Sequence, residues 1–91
     1  MRSLKIKIDI LLSRTIVGEI MRKILSQRLK ECRKSKGYTQ MQVAVYCDIS
    51  EKTYQNYELM TREPKLEILI KIADLYDVSI DYLVGRKDQK K

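Results

Sequence analysis

The sequence predicts an all-α domain of five short helices, preceded by an N-terminal extension over residues 1–22 and followed by a basic tail over residues 86–91. Three observations predict it. From Ile16 onward apolar residues recur at spacings of three and four, the period of a helix. Hydroxyl caps at Thr39, Ser50 and Ser79 precede short runs, and stop residues such as Gly37 and Gly85 follow others. The chain has 91 residues, 44% hydrophobic and 34% charged, which suits one small soluble core over residues 23–85 and not a disordered chain.

Taken in order, residues 4–12 first alternate. Leu4, Ile6, Ile8 and Ile10 are separated by Lys5, Lys7 and Asp9, a period of two that predicts a short amphipathic strand. A lone strand has no partner in this chain, so it would pair with a second chain or stay frayed. Residues 1–20 also read as a leader, with Met21 as an alternative native start, and the sequence leaves these readings open. Ile16, Ile20, Ile24, Leu25, Leu29 and Cys32 then fall at helical spacing, giving a helix over 23–36 that could begin as early as Thr15; Gly18 weakens its early part. Lys34 and Lys36 suit the negative end of the helix dipole, and Gly37 suits a left-handed stop.

Thr39 and Gln42 match a capping box that opens a second helix ending at Cys47. Ser50 caps a third helix, Glu51 to about Leu59, with Glu51 placed at the positive end of its dipole. Pro64 keeps Glu63 extended before a fourth helix over 66–76. Its apolar stripe is read as Leu66, Leu69, Ile70, Ala73 and Tyr76, widened by Ile72. Ser79 caps a last helix over 80–84, and the tail beyond Gly85 is expected to be a mobile, solubilising end.

The formal net charge of +7 points to a polyanionic partner, nucleic acid or an anionic surface. The excess is uneven: residues 1–23 carry six basic and two acidic groups, the rest thirteen and ten. The domain itself is therefore only mildly basic, and charge decides little. Cys32 and Cys47 form no CxxC pair and the chain has no histidine, so a zinc site is excluded and the two cysteines read as reduced core residues. No apolar run spans a membrane, and Lys7 and Asp9 interrupt any secretory signal, so a cytoplasmic location is expected. No nucleophile–base pair can be assembled, which argues against an enzyme, and no cofactor or small-molecule site is evident.

Residues 39–59 carry the informative pattern. Two short helices joined by a tight turn make a DNA-reading unit with specific physical demands. Ala44 is small where the helices must approach. Asp48 stands at the turn, where a left-handed conformation is needed. Tyr54 and Tyr57, three apart, pin the second helix to the first, and Glu51, Lys52, Gln55 and Asn56 are left to point outward. The tyrosines therefore read as core or boundary residues, not as stacking platforms.

The stretch Thr39-Gln40-Met41-Gln42-Val43-Ala44, then Ile49-Ser50-Glu51-Lys52-Thr53, Asn56-Tyr57-Glu58 and Arg62-Glu63-Pro64 resembles the Cro and phage-repressor (XRE) type helix-turn-helix family. Residues 77–85 are similar to that family's final helix, so the resemblance covers about 24–85. It implies a five-helix lambda-repressor-like DNA-binding domain. It implies that Gln40 bonds a phosphate and buttresses the recognition helix, that Ser50 lies near the backbone, and that Glu51, Lys52, Thr53 and Asn56 meet the DNA. Arg33 and Glu58 match a pair that locks the first helix to the recognition helix. Three departures stand out: Asp48 replaces a turn glycine, Tyr54 a small aliphatic, and Lys65 a capping serine.

Side-chain chemistry adds that Lys52 can donate to guanine, Gln55 and Asn56 can pair with adenine, and Glu51 can accept from cytosine. Arg62 and Lys65 suit phosphate contacts that fix register. The expected function is a sequence-specific double-stranded-DNA-binding transcriptional regulator, a repressor acting as a homodimer on a pseudo-palindromic operator. The alternative is a protein-interaction module or antitoxin of the same fold.

Overall fold

The computed structural model describes the backbone from Arg2 and side chains from Ile16 to the end of the chain. The described residues form five helices: α1 (Arg2–Lys36), α2 (Gln40–Cys47), α3 (Glu51–Glu58), α4 (Leu66–Tyr76) and α5 (Ile80–Leu83). Helix α1 runs beyond the others, giving an outline of 54 × 27 × 19 Å.

The strand expected over residues 4–12 is not formed; α1 is continuous through them. The physical reason lies in the backbone. A lone strand leaves its N–H and C=O groups without partners, whereas a helix satisfies them internally and adds turns cheaply to an existing nucleus. Leu4, Ile8 and Leu12 also stand four apart, so the apolar pattern fits both periods.

The predicted caps locate the remaining helix ends. The Gln42 N–H donates to Thr39 Oγ1 at 3.1 Å, and the Thr39 N–H donates to Gln42 Oε1 at 2.9 Å. Ser50 Oγ accepts from the Thr53 N–H, and Ser79 Oγ from the Tyr82 N–H. Lys65 offers α4 no side-chain cap bond. Gly37 ends α1 at φ +76°, and Asp77 ends α4 in the left-handed region.

The core is shared by all five helices. Leu29 and Cys32 from α1, Val43, Ala44 and Cys47 from α2, Tyr54 and Tyr57 from α3, and Ile72, Ala73 and Tyr76 from α4 are buried with Val78 and Leu83. Burying a side chain such as Leu29 or Ile72 contributes roughly 1.5–3 kcal/mol. Both cysteines are free, as expected. The stripe on α4 needs correction: Leu66 and Ile70 are exposed, and Ile72, Ala73 and Tyr76 form its buried centre. Leu66 opens the helix beside the loop, and the neighbours of α4 are α1, α2 and α5.

The C-terminal tail also differs from expectation, since it folds back on the globule. Lys90 O accepts from the Ser79 N–H at 2.7 Å, and Lys91 pairs with Asp77 at 2.9 Å. Arg28 organises this return. Its guanidinium lies 4.1 Å from the centre of the Tyr82 ring and donates to the carbonyls of Tyr82 and Lys87. Composition shows the tail's charge but not that its carbonyls meet an arginine from α1.

Candidate nucleic-acid interface

The helix-turn-helix is assembled from α2 and α3. Ala44 is fully buried where the two meet, so its lack of a larger side chain sets how closely they approach. Asp48 takes φ 57°, ψ 45°, and the Ile49 N–H then reaches back to Ala44 O at 3.0 Å. A non-glycine residue in this region carries a steric cost, which aspartate tolerates better than most. The turn aims the chain so that Ser50 caps α3 directly. The Ser50 and Thr53 hydroxyls are 2.8 Å apart, so Thr53 is engaged with the cap.

Helix α3 has two unlike sides. Inward, Tyr54 and Tyr57 are buried and meet edge to face, with ring centroids 6.1 Å apart. The Tyr54 hydroxyl bonds that of Tyr76 at 2.6 Å. Burial raises the pKa of both phenols, so both are neutral. Outward, Lys52 is exposed, and Glu51, Gln55 and Asn56 are partly exposed along the same stripe. Past the helix, Arg62 and Lys65 are exposed, while Glu63 pairs with Arg22 at 3.3 Å.

A polar network joins α3 to the rest of the domain. Arg33 Nε and Nη2 donate to the two Glu58 oxygens at 2.7 and 3.1 Å, a bidentate pair. Their side chains are 12% and 4% exposed. Gln40 Nε2 donates to Glu58 Oε1 at 3.1 Å, and Arg33 Nη1 to Tyr38 O. Burial alone would raise the Glu58 pKa. Hydrogen bonds from Arg33 and Gln40, with the nearby Tyr54 hydroxyl and the Arg33 charge, outweigh it and hold the carboxyl below its usual value. The bond to Glu58 in turn raises the Arg33 pKa. Thus three helices, α1, α2 and α3, meet on one carboxylate.

The family model described as Helix-turn-helix matches residues 29–83, more than half of the chain. This chain belongs to the Cro/C1-type (XRE) helix-turn-helix family. The HTH-type transcriptional regulator ImmR of Bacillus subtilis is 42% identical over 67 residues, covering 74% of this chain and 53% of ImmR. The cryptic phage CTXphi transcriptional repressor RstR of Vibrio cholerae is 42% identical over 62 residues, covering 68% of this chain and 55% of RstR. This XRE-type chain therefore spans about half the length of the curated relatives it matches. The N-terminal DNA-binding domain of SinR from Bacillus subtilis superposes with a TM-score of 0.65 at 26% identity, covering 74% of this chain and 99% of that domain. Among the described residues no acidic, cysteine or histidine cluster could hold a metal, and no helix is long and apolar enough to cross a membrane.

Two features of this XRE domain escaped sequence reasoning. A recess of about 280 Å³ beside the end of α3 is lined by Lys30, Arg33, Gln40, Gln55, Glu58 and Leu59. Lys30 brings a cation from α1 to the same surface as Gln40 and Gln55. The signal was present: Lys30 precedes Arg33 by three, so the two share a helix face. The second is Tyr76, whose hydroxyl completes Tyr54. A tyrosine on an apolar stripe reads as filler, and nothing in the spacing pairs it with a residue on another helix.

Proposed function

We propose that this chain is a sequence-specific DNA-binding transcriptional regulator of the repressor type, acting on double-stranded DNA. The observation that carries the reading is the division of α3. Its inner face is fixed by Tyr54, Tyr57 and Glu58, while Glu51, Lys52, Gln55 and Asn56 keep polar atoms available outward. A rigid helix with a free polar edge is what major-groove reading requires. In this reading Lys52, Gln55, Asn56 and Glu51 contact base edges. Ser50, Thr53, Arg62 and Lys65 lie along the phosphates. Gln40 spends one amide N–H on Glu58 and keeps its second for a phosphate oxygen. Arg33 and Glu58 touch no DNA and act by holding α3.

The name of the relative RstR, a transcriptional repressor, supports repression. A two-fold dimer would place two α3 helices about 34–36 Å apart, one turn of DNA, on a pseudo-palindrome. Such a protein would work in the cytoplasm on the nucleoid. The test is selection of bound sequences from a random duplex pool at stated salt. Enrichment of a motif with two-fold symmetry is expected, and lost when Lys52 and Asn56 are both changed to alanine. Recovery of no motif at all would overturn the reading, and a motif without symmetry would overturn the dimer.

A further inference from the structure

The first part of α1 poses a problem that packing does not solve. Ile16, Val17 and Ile20 are 54%, 51% and 51% exposed. From Met21 the situation changes. Met21, Ile24 and Leu25 are partly buried, and Arg22 pairs with Glu63. Met21 and Leu25 line a cleft with Pro64, Leu69 and Val84, and Ile24 packs on Gly85. Gly18, with no side chain, borders the same cleft, so Met21 is the first side chain that lines it.

The comparisons also leave much of the early chain unmatched, the family match beginning at residue 29. The SinR domain is matched over 99% of its length by 74% of this chain, so about a quarter of this chain has no counterpart there. The family match ends at residue 83, with eight residues left after it. The family match thus leaves 28 residues before it and eight after.

The residues directly before Met21 have a second meaning at the level of the message. Gly18-Glu19-Ile20-Met21 can be encoded only as GGN-GAR-ATH-ATG. With adenine as the third base of the Gly18 codon, the message contains GGAG. That sequence pairs with the pyrimidine-rich end of bacterial small-subunit ribosomal RNA. It would lie at the short distance upstream of an ATG at which such pairing positions a ribosome, with the Ile20 codon forming an AT-rich spacer. The relatives named above are bacterial.

We propose that Met21 is an internal translation start, so that the helix-turn-helix domain is also made as residues 21–91, with the Gly18 and Glu19 codons supplying the ribosome-binding signal. Glu19 and Ile20 are then exposed because codon content, and not packing, accounts for their side chains, and Ile16 and Val17 lie ahead of the shorter product. The shorter product keeps every contact of the polar network and the whole outer face of α3.

The test uses the gene with its own upstream sequence in a bacterial host, an epitope after Lys91, and intact-mass measurement. Reading the Gly18 and Glu19 codons comes first: absence of GGAG from them overturns the proposal. The wild-type gene is expected to give a product with the mass of residues 21–91. That product should persist when a stop codon replaces the Ser13 codon, which separates initiation from proteolysis. It should fall severalfold when the Gly18 codon is changed synonymously to GGT, and vanish in Met21→Leu, a volume-conserving change that leaves the longer chain folded. Absence of the short product, its loss with the stop codon, or indifference to the Gly18 codon would each overturn the proposal.

Discussion

The two sides of α3 show how a short helix can be both immobile and available. The inner side is specified many times over: two buried tyrosines, a bidentate ion pair and a hydroxyl bond to α4 all fix it. The outer side is specified by almost nothing within the chain. Eight residues form a helix too short to persist alone in water, so its order comes from the inner side. The contrast teaches that the residues that would read DNA and the residues that make reading possible can be separated by substitution.

The largest expected effect comes from breaking the inner side at its centre. Glu58→Ala leaves Arg33 buried without its partner and should cost roughly 3–5 kcal/mol in urea unfolding. Acid should act on the same group. The folded pKa of Glu58 lies below its unfolded value, so its contribution is complete above the unfolded pKa, near 4.3, and is lost as pH falls through the folded one. Glu58→Gln should therefore flatten the acid limb of the stability profile; an unchanged limb would assign acid loss to other carboxylates.

On the outer side the effects should appear in binding and not in folding. Lys52→Ala and Asn56→Ala should each remove about 1–3 kcal/mol of base discrimination in competition binding. Their unfolding free energies should stay within about 0.5 kcal/mol of the parent. A large loss of stability would show that the outer residues support the fold after all. Tyr54→Phe, on the inner side, should cost about 1 kcal/mol, because the hydroxyl of Tyr76 loses a partner in the core. The smallest change sharpens the edge of the comparison. Arg62→Ala should weaken binding to all sequences alike and reduce the salt slope by about 1 in its logarithmic plot.

Much of this arrangement was legible in the residues. Hydroxyl caps act over three residues, so Thr39, Ser50 and Ser79 announce their helices locally, and the helix ends follow within a residue or two. The outer stripe of α3 was legible because Tyr54 and Tyr57 fix which way the helix turns. The errors lie where distant parts of the chain decide. Residues 4–10 fit two periods, and only the lack of a pairing strand selects the helix. Leu66 and Ile70 fit the apolar period of α4, yet which side of that stripe is covered depends on where α1, α2 and α5 lie. The tail read as free because its anchor, Arg28, stands far from it in sequence. Tyr54 and Tyr76 could be placed in the core separately, but their hydrogen bond needs the positions of α3 and α4 together.

The two free thiols add an experimental handle. Cys32 lies in α1 and Cys47 at the end of α2; burial keeps both protonated to higher pH than an open cysteine. An alkylating reagent reaches them only through openings of the native state, so its rate at each position measures how often that part of the fold separates. The protein thus carries built-in clocks for α1 and for α2, readable in its natural sequence without a dye or an introduced label.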